Sequence, residues 1–284
     1  MKSIDTLLTD LEDVLFGIGG WNSAISTEMG KAVAASALAR FGKPQEPRGY
    51  LSLSSIGTPC RRKLWYKVNK SDKAEKLEAR QLLLFFYGDM IEELILAMVK
   101  ASGHSCEGMQ GKLSVHGIRG HRDAVIDGMT IDVKSASPFA FKKFQSGGLR
   151  DEDPFGYVSQ LSSYVYAGKD DPLVTDKTRG AFLVINKVSG EMCLDMYDFT
   201  EELKTKEQEM LSAKELVTGE IPDERIPPVP ASKSSPNTKL DRACGFCDFK
   251  KLCWPNARKF QYSYGIEYLV HVEKEPQVPE ILND

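Results

Sequence analysis

The chain has 284 residues, of which 42% are hydrophobic, enough to bury a large core in one elaborated domain. No run approaches the length of a membrane span, and the N-terminus is an amphipathic helical pattern rather than a charged-then-apolar leader, so a cytoplasmic, membrane-free protein is expected. A net charge of −3 does not advertise nucleic-acid binding, which leaves Arg61-Arg62-Lys63, Lys142-Lys143 and Lys250-Lys251 as the places where positive charge can be focused or simply solvated.

Residues 4–17 and 23–41 read as two helices, the second Ala-rich and ending at Gly42-Lys43-Pro44. With the residues up to 50 they are expected to form an N-terminal helical cap or partner surface. Ser54 or Ser55 is placed to cap a short helix carrying Cys60 to Tyr66. Residues 77–100 are apolar densely enough for a helix buried on more than one side. Within it Glu92 sits one turn before Ile95 and Leu96, in partly dry surroundings where a carboxylate either shifts its pKa or finds a cation. Asp89 and Glu93 are expected to face solvent.

The stretch 120–137, GHRDAVIDGMTIDVKSAS, centres on an Asp127-Gly128 turn between the apolar-rich runs 124–126 and 129–133, the pattern of a tight hairpin. Side chains alternate along a strand, so Asp132 and Lys134 share a face while Val133 points into the core. Asp123 then falls on the neighbouring strand, within reach of Asp132. Two close carboxylates favour a hard divalent cation between them, and Lys134 is positioned to hold or activate an attacking water. The plainer alternative is an amphipathic hairpin with a solvated charged face. Further on, a helix over 154–168 puts Gln160 and Tyr164 one turn apart on one face. Residues 181–199 form a second hairpin candidate with Ser189-Gly190 at its turn, and a helix is expected near 200–218. The Pro- and Ser-rich segment 222–239 reads as an extended connection, and the residues from about 272 on as frayed or partner-binding. The resulting division is 1–50 cap, 51–220 core, and 221–284 linker, cysteine cluster and tail packing back on the core.

Cys244, Cys247 and Cys253 make a C-x2-C-x5-C pattern, and three clustered thiolates need a fourth ligand to close a site. Cys60 stands far upstream, followed by two arginines, a lysine and the aromatic pair Trp65-Tyr66. Disulfides do not suit a chain of intracellular character, whereas structural zinc suits four cysteines, and Cys60 could also be an ordinary buried thiol. Cys106 and Cys193 fall in strand segments and read as small core residues.

In order, Gly88-x3-Glu92, Gly120-x2-Asp123, Asp132-x-Lys134 and Gln160-x3-Tyr164 resemble the PD-(D/E)xK nuclease superfamily, in its RecB-like exonuclease branch. The four cysteines resemble those of its iron-sulfur members, the CRISPR-associated protein 4 family and the nuclease domain of AddB. The resemblance implies an α/β, restriction-endonuclease-like mixed sheet flanked by helices, with an N-terminal helical region and a C-terminal iron-sulfur clasp. It implies Mg2+ or Mn2+ held by Glu92, Asp123, Asp132 and the Val133 carbonyl, with Lys134 positioning the water. Gln160 would orient the lysine or the phosphate, while Tyr164, with Arg61 and Arg62, would contact the strand. Glu92 stands where such nucleases often carry a histidine, which keeps a metal ligand but changes its chemistry. Cys60, Cys244, Cys247 and Cys253 would hold a 4Fe-4S cluster, with Zn2+ as the alternative occupant. The implied activity is exonucleolytic hydrolysis of single-stranded DNA from an end, 5′ to 3′ preferred, in recombination, repair or processing alongside a recombination or replication protein. The alternative is a non-catalytic DNA-binding module of a recombination or CRISPR-adaptation complex. Trp65, Tyr66 and Phe141 are candidates for stacking on bases.

Overall fold

Alternation along one strand decides where the chemistry of this chain can sit, and a computed structural model, describing residues 2–282, gives the elements around it. In chain order these are α1 (Leu7–Leu15), α2 (Ser23–Phe41), α3 (Arg61–Asn69) and α4 (Ala79–Ala101), then β1 (Cys106–Glu107), β2 (Gly111–Val115), β3 (Ile118–Arg122), β4 (Ala124–Ile126) and β5 (Met129–Ala136). There follow α5 (Pro138–Gln145), α6 (Tyr157–Ala167), β6 (Arg179–Asn186), β7 (Met192–Asp198) and α7 (Thr200–Thr218). The C-terminal part holds β8 (Val229–Pro230), β9 (Thr238–Lys239), the one-turn helices α8 (Arg242–Gly245) and α9 (Lys250–Cys253), β10 (Arg258–Tyr262) and β11 (Gly265–His271). The fold is mixed α/β, and no helix among the described residues is long and apolar enough to cross a membrane.

The chain divides into two compact units. The first comprises residues 1–46, 52–57 and 77–213, and the second residues 47–51, 58–76 and 214–284. Thus α1 and α2 share a unit with the main sheet, and the Cys60 segment shares one with the C-terminal cysteines.

In the first unit the strands run in the order β1-β4-β5-β6-β7, with β5 and β6 parallel and the other pairs antiparallel. The β4–β5 turn is made by Asp127 and Gly128 at φ 48° and 83°, the left-handed pair that a two-residue hairpin needs. Ile131 and Val133 enter one buried cluster with Leu7, Leu11, Ile95 and Val99. The opposite face, next to Asp132 and Lys134, takes Ala136, Phe182 and Val184 into a second cluster with Phe141, Phe144, Leu161 and Val165. Period-two patterning therefore gives α1 and α4 one side of the sheet and α5 and α6 the other.

Several expectations are corrected here. The helix over 77–100 is not buried along its length: Ile95 to Val99 lie in the core, whereas Leu83, Leu84, Phe85 and Tyr87 are 40–47% exposed, because the core cluster engages only its C-terminal half. Asp89 does not simply face solvent; Arg40 donates to it from both its Nε and Nη2 at 2.6–3.0 Å. Ser52 and Ser55 cap a separate 3-10 turn, and the helix after Cys60 is capped by Cys60 itself, whose Sγ accepts from Lys63 N at 3.4 Å.

In the second unit the order β10-β11-β9-β8 shows that 222–239 is not merely an extended connection, since it supplies two short strands. The tail beyond 272 is likewise anchored as far as Ile281. Arg258 pairs with Glu275 and Glu280, Ile281 N donates to Lys259 O, and Asn237 donates to Lys274 O.

Candidate functional site

Four of the expected side chains converge in the first unit. β4 begins only at Ala124, so the chain has already left the ladder at Asp123 and no strand backbone is left to meet the Val133 N–H. The Asp123 carboxylate takes its place, accepting from Val133 N at 2.8 Å. The N–H and C=O of one strand residue point to the same side, so the Val133 carbonyl also faces Asp123. Asp132, on the opposite face of β5, is 1% exposed and forms an ion pair with Lys134 two residues on. Apart from that ion pair, Asp132 Oδ2 is buried with no other partner. Glu92 Oε1 accepts from Gln110 Nε2 at 2.5 Å.

The electrostatics show how closely these groups sense one another. Burial first, then the Glu93 and Asp132 charges, push the Glu92 carboxyl up to about 7. Burial, then Asp132 and Glu92, hold Asp123 well above the usual carboxylate range, although Lys134 and the Val133 N–H oppose this. Burial pulls the Lys134 ammonium down, but Asp132 and Asp123 outweigh it and keep the group charged above its ordinary range. The Glu92 and Asp123 carboxyls, which resist ionisation in this crowded set, are ones that an added cation relieves.

Tyr164 does not reach outward as expected of a strand-contacting residue. It is 4% exposed, and its hydroxyl accepts from Gln160 Nε2 at 3.2 Å. Burial and then Asp132 raise its phenol above the ordinary value, so it stands behind the charged set and stays neutral. Two residues that sequence reasoning passed over join the site: Gln110, which holds Glu92, and Tyr157, whose ring centre lies 5.4 Å from Lys134 Nζ. Tyr157 had a signal, standing one turn before Gln160 on the same helix; Gln110 sits in a loop and had none.

The second unit gathers Cys60, Cys244, Cys247 and Cys253. Residues Tyr66, Cys247, Phe249 and Cys253 form a buried cluster with Trp65, Ala74, Ile221 and Trp254 against it. Burial, then the neighbouring Cys60 and Cys247, push the Cys244 thiol up to about 12, with Cys253 adding to this. Burial likewise pushes Cys247 up to about 11. All six cysteines are free, which excludes disulfides among the described residues. Cys193 is buried in the second cluster of the main sheet, and Cys106 packs half-buried beside the first. Arg61 is exposed, but Arg62 is 8% exposed and donates to Pro222 O at 2.5 Å and Tyr66 Oη at 3.0 Å, so it is a packing residue rather than a strand contact.

Among the described residues, no three His, Cys, Asp or Glu side chains yet stand at distances that would hold a metal ion. The donor chemistry nevertheless suits two different guests. The carboxylates, Asp132 Oδ2 among them, are hard oxygens for Mg2+ or Mn2+, and the thiols are soft donors for iron or zinc.

No protein-family model matches the chain. No curated protein matches it either. One solved structure, "Crystal structure of SSO0001", is similar at 12% identity over 78% of this chain and 94% of that chain, with a TM-score of 0.43, a likeness too slight to argue from.

Proposed function

We propose that this protein is a metal-dependent DNA exonuclease of the PD-(D/E)xK type with a restriction-endonuclease-like core, hydrolysing single-stranded DNA from an end, 5′ to 3′. The supporting observation is the convergence of Glu92, Asp123 and Asp132 on one buried patch with Lys134 paired to Asp132. Mg2+ or Mn2+ would be held by these three carboxylates and the Val133 carbonyl, supplying a Lewis acid and a water of lowered pKa. Lys134 is the protein's own share of the chemistry. It stays an ammonium, and its side chain is 21% exposed. From there it can donate to a phosphoryl oxygen or hold the attacking water while stabilising charge that develops in the transition state. Tyr157 lies against the lysine, and Gln160 holds the Tyr164 hydroxyl on the same helix.

In the second unit Cys60, Cys244, Cys247 and Cys253 would hold a 4Fe-4S cluster that fixes the C-terminal segment to α3. Cys244 has the other three thiols close enough to sense, and four clustered thiols fit such a group and Zn2+ as well. An anaerobic visible spectrum with iron and sulfide analysis separates the two: a brown protein with iron and sulfide supports the cluster, and a colourless one with stoichiometric zinc replaces it.

Incubation of end-labelled single strands with Mn2+ tests the activity. The native chain should release short products from one end, and Lys134→Ala should do so at least about 100-fold more slowly. Equal rates for the two proteins would overturn the mechanism.

A further inference from the structure

The first half of α4 is apolar on every side, with large residues in unbroken succession from Leu82 to Tyr87, yet none of the helix is buried before Ile95. A helix of that composition is ordinarily covered all round. α2 runs antiparallel beside it, as the ion pairs Glu28–Lys100 and Arg40–Asp89, both at 2.6 Å, establish, and α2 has no buried residue either. Phe41 meets Phe86 edge-on at 5.1 Å, and the Arg40 guanidinium lies 5.6 Å from the Phe85 ring centre. Ile91, Ile95 and Val99 turn to the sheet core. α4 thus has one side on the sheet, one on α2, and a third that stays open among the described residues.

That third side carries Leu83, Tyr87, Met90 and Leu94, the four-three-four spacing of a helix-packing seam. Leu83, Tyr87 and Leu94 are exposed and Met90 is half-buried. Glu92 lies roughly half a turn away around the helix, so the stripe is distinct from the candidate site. With Leu84 at its edge, the stripe leaves about 350 Å2 of apolar side chain in solvent, counting ~200 Å2 for each whole residue at 39–46% exposure. Each partner of a standard interface buries roughly 450 Å2 of apolar area within about 800 Å2, so the stripe supplies most of what one face of a stable dimer needs.

No charged residue stands on the stripe. A phosphate backbone finds no row of cations here, whereas a second copy of the same neutral stripe meets no like charge. Arg80, just before Leu83, is the cation closest to it along the helix and sets the orientation. A parallel pair would bring two Arg80 side chains together, whereas an antiparallel pair holds them roughly 25 Å apart, beyond the reach of screened repulsion. We propose that the stripe joins two copies of this chain across a two-fold axis, antiparallel, with Leu83 of each copy against Leu94 of the other and Tyr87 against Met90. The contact stands independently of the nuclease proposal.

Sedimentation velocity of the full chain at about 1–50 μM tests the contact, and the native protein should sediment as a dimer. Leu83→Glu with Leu94→Glu in one chain should raise the dissociation constant at least about 100-fold and leave a monomer, as should Leu83→Lys with Leu94→Lys. Mixing the acidic and basic variants should restore the dimer, because each charge then meets its opposite. Both positions are exposed, so far-UV circular dichroism should show each variant folded. Should the charged variants unfold, Leu83→Ser with Leu94→Ser carries no charge and should still weaken the dimer at least about tenfold. Charged variants that stay dimeric, a serine variant as tight as the native chain, or a mixture of folded variants that stays monomeric would overturn the inference. A monomeric native chain would overturn it too. In that case, loss of single-strand binding in the glutamate variant would pass the stripe to DNA, and unchanged binding would pass it to another protein.

Discussion

Glu92→Gln removes one ionisable group from the crowded carboxyl set while keeping an oxygen that can accept from Gln110. In the folded, metal-free chain the Glu92 carboxyl holds its proton up to about 7, against an ordinary 4.5. Between those values the folded state binds more protons than the unfolded one, so stability falls as pH rises through the window and the whole cost is present above about pH 7. About two and a half decades at about 1.4 kcal/mol each bound that cost at roughly 3 kcal/mol, and water reaching a half-buried side chain brings it to about 1–2 kcal/mol. In EDTA, urea unfolding should therefore find Glu92→Gln more stable than the native chain by about 1–2 kcal/mol at pH 8, and equal to it near pH 4. Excess Mn2+ should reverse the order. A cation that binds only the folded state at 100 times its Kd adds about 2.7 kcal/mol, most of which the variant forgoes. Parallel stability curves for the two proteins from pH 4 to 8 would refute the crowding, and an equal Mn2+ increment in both would remove Glu92 from the ligand set.

The same linkage acts away from the site at Asp195, which burial pushes up to about 6 although Tyr197 donates to it at 2.6 Å. Asp195→Asn should abolish a loss of stability that the native chain suffers as pH rises from about 4 to 6, leaving the variant about 1–3 kcal/mol more stable at pH 7; an unchanged pH profile in urea titrations would refute this. Gly156→Ala meets both a left-handed φ and the Gly57 carbonyl, and should cost about 3 kcal/mol or more, seen as a fall in the thermal midpoint of at least about 6 °C; an unchanged midpoint would show that the turn opens to admit a Cβ without strain. Cys244→Ser should cut bound iron or zinc by more than half and lower thermal stability, and full metal retention would exclude Cys244 as a ligand.

What the sequence alone determined is local. Asp127-Gly128 specifies a hairpin because only a few residues tolerate two successive positive φ values, and alternation then commits Asp132 and Lys134 to one face of β5. The density of apolar residues marked α4, and the spacing of the cysteines marked a site in want of a fourth donor. What only the tertiary structure decided is access. Phe141, Tyr66, Tyr164 and Arg62 have the chemistry of ligand-binding groups but lie at 2–8% exposure, because burial depends on which elements pack over a residue and not on its own type. Gln110 and Glu92 meet across 18 positions, and Asp123 takes a strand's N–H only because β4 starts one residue late. Such pairings depend on the register and on where strands end, which neighbouring strands settle and a single segment's pattern leaves open.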